Sequence, residues 1–397
     1  MNFCRRALLA SVLAGATPRV HAIQRPLRIG VLTTLSGPAA DGAGTGSILA
    51  ARMAVEAHPG MMIEVLTADM GDRPDIGAGL ARAWFDRDRV DAVIDVPNSA
   101  TALAVADIAR DRNRIALFSG PGATTLTGSA CSPNHLQWTY DTAALAAGTA
   151  TAMLAEGGDT WFFLTADYAF GHALQRDVTT VVQAAGGRVL GAAVFPNEML
   201  DFSALLLQAQ ASGAKVIGLA CTGAPFETLV KQAAEFGIAR SGQRLARLLC
   251  LVPNVRAIGL ENAQGLLVTE PFYWDLDPGT RAFAAAFVPR NRGIVPTMVH
   301  AGVFSAVNHL LRTVAGGADS SDGAATIAAM KRLPAEDALF GYSMLLANGS
   351  VTHPMHLFHV KPPSQSTGPW DLYRRLRTIP AEQAFRTATA SGCKLVQ

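Results

Sequence analysis

Charge of one sign is missing from this chain. Lys and Arg number 33 against 31 Asp and Glu, a formal net charge of +2 at neutral pH. No polybasic run concentrates the small excess, which removes nucleic acid and anionic membrane surfaces from the partners to consider. Long apolar runs are missing too. Past residue 22, Asp, Arg, Gly or Pro breaks each apolar stretch within about a dozen residues, short of the roughly 20 that a spanning helix needs. There is no Gly-x-Ser-x-Gly elbow, and the 9 histidines stand at no spacing that pairs them with an acid or a cysteine. Neither a hydrolase nor a metal centre is signalled, and no cofactor is expected. His300 and His309, inside an apolar helical run, read as surface or satisfied core groups. The glycines of Asp41-Gly-Ala-Gly-Thr-Gly-Ser47 fall at 42, 44 and 46, which is not the dinucleotide fingerprint. Glycines before a helix can still admit a phosphate, so a nucleotide-dependent α/β enzyme is kept as an alternative.

What is present begins with a tripartite leader. Arg5 and Arg6 precede the apolar run Ala7–Ala16, and Val20-His-Ala22 offers small residues for cleavage, so residues 1–22 read as a signal peptide. Export to the periplasm permits disulfides among Cys131, Cys221, Cys250 and Cys393, with three connectivities open. Cys221 and Cys250 end apolar runs and read as free buried thiols. Cys131 and Cys393 sit in polar loop contexts (Ser129-Ala-Cys-Ser-Pro133 and Ser391-Gly-Cys-Lys394), and their pairing is preferred.

The mature sequence alternates strand and helix. Leu27–Thr34, Met62–Ala68, Val90–Val96 and Ile115–Phe118 read as strands, with helices over Ile48–Ala57, Ile76–Phe85 and Thr101–Arg110 between them. A second series follows: strands over Trp161–Thr165, Arg188–Phe195, Val216–Ala220 and Leu245–Val252, with helices over Phe170–Ala185, Phe202–Ser212 and Phe226–Phe236. This is the spacing of right-handed βαβ crossovers, so the expected fold is α/β, with two doubly wound parallel-sheet lobes. The last third is best used to complete both lobes: 26–141 with 272–343 for lobe I, and 142–271 with 344–397 for lobe II. Ligands of open α/β sheets sit beyond the carboxyl ends of the strands. The loops that follow the strands here carry Ser, Thr, Asn, Asp, Gly, Tyr and Phe, a mixture that suits directed hydrogen bonds beside aromatic walls.

At those loops the chain resembles the type I periplasmic binding proteins of the branched-chain amino-acid transporter family. The resemblance runs from Arg28 to about Val360. It rests on Ser36-Gly-Pro38, Val90-Asp-Ala-Val-Ile-Asp-Val-Pro-Asn-Ser99, Ser119-Gly-Pro-Gly-Ala-Thr-Thr-Leu-Thr127, Asp167-Tyr-Ala-Phe-Gly171, Phe202-Ser203, Lys231-Gln-Ala-Ala-Glu-Phe-Gly237 and Gly265-Leu-Leu-Val-Thr-Glu270, in that order.

The resemblance implies a two-lobed clamp that hands a small organic ligand, an amino acid or an aromatic or branched carboxylate, to the permease and ATPase of an ABC importer. It implies a monomer and no catalysis. The same clamp could instead serve a receptor as a sensing module. Asn98 and Ser99, then Gly122, Ala123 and Thr124, match the positions that hold the ligand's carboxylate with neutral donors. Tyr168 and Phe170 match the aromatic that closes the pocket from lobe II. Departures are informative. Neutral Asn254 stands where the family places an acid for the ligand's ammonium, Cys221-Thr-Gly-Ala-Pro225 lacks the family's tyrosine, and Asp41 replaces a bulky aromatic.

Overall fold

The computed structural model describes residues 25–36 and 40–396. The signal peptide expected over 1–22, with Cys4, and the Gly37-Pro38 pair of the first motif lie outside them.

The first lobe is built from β1 (Leu27–Thr33), α1 (Gly44–Glu56), β2 (Ile63–Asp69), α2 (Pro74–Asp86), β3 (Ala92–Asp95), α3 (Ser99–Asp111), β4 (Ile115–Phe118) and β5 (His135–Gln137). Its strands are parallel, in the order β2-β1-β3-β4-β5. A crossover leads through α4 (Thr142–Leu145), a π turn over Ala146–Ala150 and α5 (Thr151–Ala155) into the second lobe. There β6 (Thr160–Ala166), α6 (Ala169–Ala184), β7 (Arg188–Phe195), α7 (Ser203–Ala211), β8 (Val216–Ala220), α8 (Gly223–Glu235) and β9 (Arg244–Arg247) give the parallel order β7-β6-β8-β9. Both sheets therefore follow one winding scheme, with the strand order reversing between first and third strands.

Composition explains who sits where. β3, β4 and β8 are buried on both faces and read as apolar runs, broken only by Asp95 at the end of β3, as central parallel strands do. Edge strands β2 and β7 mix half-buried and exposed residues instead, with only Ala193 and Phe195 of β7 buried.

The chain continues with α9 (Val252–Ile258), α10 (Leu260–Ala263), β10 (Leu267–Glu270), α11 (Pro278–Phe287), α12 (Met298–Ala315), α13 (Gly323–Arg332), β11 (Ala335–Asp337), β12 (Gly341–Leu345), β13 (Val351–Thr352), β14 (Met355–Val360), β15 (Tyr373–Ile379) and α14 (Ala381–Ala384). α12 packs along α1 and completes lobe I, while β10, β14 and β15 form an antiparallel sheet beside β9 in lobe II. The glycine run that leads into the first turn of α1 has a packing role here. A Cβ at Gly46 would overlap the His300 ring, and His300 Nε2 bonds the Ala43 carbonyl at 2.8 Å. The helices approach closely because nothing stands between them.

Two expectations shift. The strand read over Leu245–Val252 stops at Arg247, because Pro253 lies in the first turn of α9 and the Asn254 side chain accepts from the Leu251 amide at 3.0 Å. The short β5 was not anticipated. Cys221 and Cys250 are free and buried, each thiol pushed up to about 12 by desolvation. Cys131 and Cys393 are bonded, with Cα atoms 5.7 Å apart.

Candidate functional site

The carboxyl edges of the two sheets face each other, and charge marks where they meet. Burial raises the Asp72 carboxyl above its ordinary range, and Glu198 of lobe II adds to the effect. Burial likewise raises Glu227 of lobe II, with Asp41 of lobe I adding to it. Each pair spans the cleft. Near Asp72 stands Tyr168, at the N-terminus of α6. Its hydroxyl is pushed well up by desolvation and by the proximity of Cys221, Asp72 and Tyr140, which come from both lobes and the crossover.

The lobe I edge is made by helix caps and tight turns. Asn98 caps α3: its Oδ1 accepts from Ala100 N at 2.9 Å and Thr101 N at 3.1 Å, and its Nδ2 donates to Asp72 at 2.9 Å. Ser99 Oγ accepts from the Ala123 amide at 3.3 Å, tying the loop after β3 to the loop after β4. Just before them the backbone is strained. Asp95 and Val96 have φ of 79° and 53°, a region that a β-branched residue rarely enters, and Asp72 joins them at 57°. Strain of this kind gathers where a site must be held in one shape.

Gly122 lies where the lobes touch. A Cβ there would come within 2.5 Å of the Tyr140 ring and 2.9 Å of the Phe170 ring. Phe170 is itself core, 3% exposed, while Tyr168 is half-buried beside it with ring centroids 5.9 Å apart. Ala123 is fully buried. Thr124 is committed elsewhere: its hydroxyl donates to Asp177 at 2.8 Å and accepts from Arg176 at 2.8 Å, both on α6. Thr142 donates to the same Asp177 oxygen at 2.5 Å. Thr124 thus links a lobe I loop to a lobe II helix. Tyr273 and Trp274, at a second crossover, both donate to the Trp370 carbonyl.

On the lobe II edge, Asn254 is 5% exposed and donates through Nδ2 to Glu227 Oε1 at 2.8 Å. The neutral residue at the family's acidic position therefore holds an acid borrowed from α8. Sequence reasoning missed Glu227, on α8. It also missed Asp72, in the turn between β2 and α2. Asp41 is exposed, as a cleft-lip residue is. Among the described residues no cluster of three or more His, Cys, Asp and Glu could hold a metal ion, and no helix is long and apolar enough to cross a membrane. A surface cavity of about 630 Å³ lies at the other end of lobe I, lined by Arg25, Met62 and Asp319, and touches none of these groups.

No curated protein matches the chain. Among solved structures it resembles a periplasmic binding protein from Burkholderia mallei at 40% identity and a TM-score of 0.90, covering 94% of this chain and 99% of that one. A branched chain amino acid ABC transporter periplasmic ligand-binding protein from Burkholderia xenovorans is 34% identical, with a TM-score of 0.83 over 94% and 100% of the two chains. An ABC transporter solute binding protein from R. palustris in complex with benzoate shares the fold at 21% identity, with a TM-score of 0.81 over 94% and 100%. The periplasmic binding protein family matches residues 26–368. With that match over most of its length and a solved relative at 40% identity, the chain belongs to the periplasmic binding protein family, in its type I, branched-chain amino-acid ABC transporter-like form.

Proposed function

We propose that this chain captures a small carboxylate with an aromatic or branched body, closes its lobes over it, and delivers it to the permease and ATPase of an ABC importer after export by its signal peptide. The observation that carries the ligand class is the state of lobe II at Asn254. Its amide is spent on Glu227, and burial raises that carboxyl although the Asn254 bond opposes the shift, so the acid of this edge is already engaged and costly to hold as an anion. An ammonium buried without a partner is severely penalised, and a deaminated acid avoids that cost. The half-buried Tyr168 beside Phe170, opposite the bare Gly122, supports an aromatic body. The benzoate held by the R. palustris protein is an example within the same fold. Asn98, Ser99, Gly122 and Ala123 are the lobe I contacts in this reading, and Tyr168, Phe170 and Asn254 those of lobe II. Thr124 acts in it as a link between the lobes.

One observation favours a second reading. Glu227 and Asp41 face each other across the cleft, and an ammonium between them would relieve both, which would make the ligand an amino acid. Calorimetry with phenylpropionate against phenylalanine separates the two. The first reading expects the deaminated acid to bind more tightly, with affinity surviving Asp41→Asn. Tighter binding of phenylalanine, lost in Glu227→Gln or Asp41→Asn, would overturn it. Small-angle scattering should show compaction at saturation, since closure of two lobes on a hinge shortens the molecule.

A further inference from the structure

Arg247 is the last residue of β9, paired in register with Leu219 of β8. It is 1% exposed, and its guanidinium lies 4.2 Å above the Phe226 ring centroid in the first turns of α8. One donor is used: Nη2 bonds Cys250 Sγ at 2.9 Å. Nε and Nη1 are buried with no acceptor, and among the described residues no carboxylate comes within ion-pair distance. Glu227 is in charge range, but it accepts from Asn254. An unpaired guanidinium taken out of water is among the costliest things a core can hold, and desolvation drives its pKa down.

Its surroundings say what it awaits. Phe226 and Glu227 lie on α8, and Cys221 and Cys250 follow β8 and β9. All four lie beyond the carboxyl ends of those strands, on the side where ligands of such sheets bind. α8 is 13 residues long, and its N-cap residue, Thr222, makes no side-chain bond to its first amides. Partial positive charge therefore converges with the guanidinium. Nη1 lies on the Cδ side of the guanidinium and the Nε proton on the other, so each offers a separate charge-assisted hydrogen bond to an anionic oxygen rather than one fork. The lobe I donors are largely committed: the Thr124 proton to Asp177 and the Asn98 amide to Asp72.

We infer that Arg247, seated on Phe226 beside the N-terminus of α8, is the group that anchors the ligand's carboxylate, and that it does so from lobe II. The inference rests on the carboxylate reading above and adds a residue that fixes specificity. It explains why an unpaired charge is kept: the empty clamp carries a cost that binding removes.

The test compares the full-length mature protein with Arg247→Met and Arg247→Lys, using benzoate and its neutral isostere benzamide as probes in calorimetry. The native protein should prefer benzoate. Arg247→Met should weaken benzoate by about a hundredfold, the upper range for a charged hydrogen-bonded pair, and leave benzamide nearly unchanged. Arg247→Lys, which keeps the charge but replaces the planar guanidinium's several donors with a single ammonium, should fall between. The second readout is the melting temperature without ligand. Replacing an unpaired buried charge by an apolar side chain of similar length should raise it, whereas loss of a merely structural arginine would lower it. Benzoate binding retained by Arg247→Met would overturn the anchor and leave the carboxylate reading standing. So would a lowered melting temperature with both probes lost together. A native protein that binds benzamide as well as benzoate, or binds neither, would overturn the carboxylate reading and the anchor with it.

Discussion

Asp95 offers a test of how the lobe I edge is held. It ends β3, separated by Val96 from the Pro97-Asn98-Ser99 segment, is wholly buried, and adopts φ of 79°. Its Oδ2 accepts from the Thr33 hydroxyl at 2.8 Å, while Oδ1 has no aligned donor although the Ser47 hydroxyl faces it. Burial outweighs those hydroxyls and pushes the carboxyl from 3.8 up to about 6. A folded value above the unfolded one means the native protein holds this proton more tightly. Its contribution is full below the unfolded value and is lost as pH rises through the folded one. Above that window the buried carboxylate is ionised at a cost of about 3 kcal/mol, from roughly two pKa units at ~1.36 kcal/mol each.

Asp95→Asn keeps the size and removes the ionisation. It should therefore stabilise the protein at pH 7.5, by up to about 3 kcal/mol, and the gain should shrink toward zero at pH 4. Urea unfolding at the two pH values measures it. His135, His300 and His356, each lowered to about 4 chiefly by burial, move the other way. Their contribution is present above the unfolded histidine value of 6.5 and is lost as pH falls toward 4. They do so equally in both proteins, so the difference between variant and native isolates Asp95. A variant less stable at pH 7.5, or one with the same gain at both pH values, would refute the reasoning.

Two further outcomes follow from packing. Cys131 and Cys393 close a separation of 262 residues, for which chain entropy sets an upper limit of about 5.6 kcal/mol. Cys393→Ser should free the tail that carries Arg386, so trypsin should cut at Arg386 in the variant and in the reduced protein but not in the oxidised one; equal cleavage in all three would count against a pinned tail. Gly46→Ala should cost about 1–3 kcal/mol in urea unfolding, since the new methyl group overlaps the His300 ring and displaces its bond to the Ala43 carbonyl. A neutral substitution would mean that α1 and α12 can yield.

Most of the scaffold was legible because strand and helix leave local marks. Apolar runs such as Val216–Ala220 are buried on both faces and sit where the runs fall, and the strand read over Arg188–Phe195 forms with those bounds. Local marks fail where a few residues are claimed by distant ones. β5 is three residues long, and its place is set by its pairing with β4 and by the Gly349 carbonyl that accepts from Gln137. The run Leu248–Val252 is apolar enough for a strand, yet Pro253 and the cap from Asn254 turn it into a helix start. The site shows the same division. Asn98 was singled out by resemblance as a ligand donor, and the cap it makes on α3 is a local device that reading did not name. Glu227 was missed, because its meaning comes from Asn254, 27 residues away, and from Asp41 on the other lobe. Arg247 was hidden more deeply still. Within a strand-like run a lone arginine reads as an edge or a surface group, and only the packed sheet reveals two of its donors sealed in without a partner. A sequence states which side chains can hydrogen-bond, but only the fold states which of them have been left waiting. In a protein built to bind, the unpaired groups are therefore where chemistry must be sought after the paired ones have been explained by structure alone.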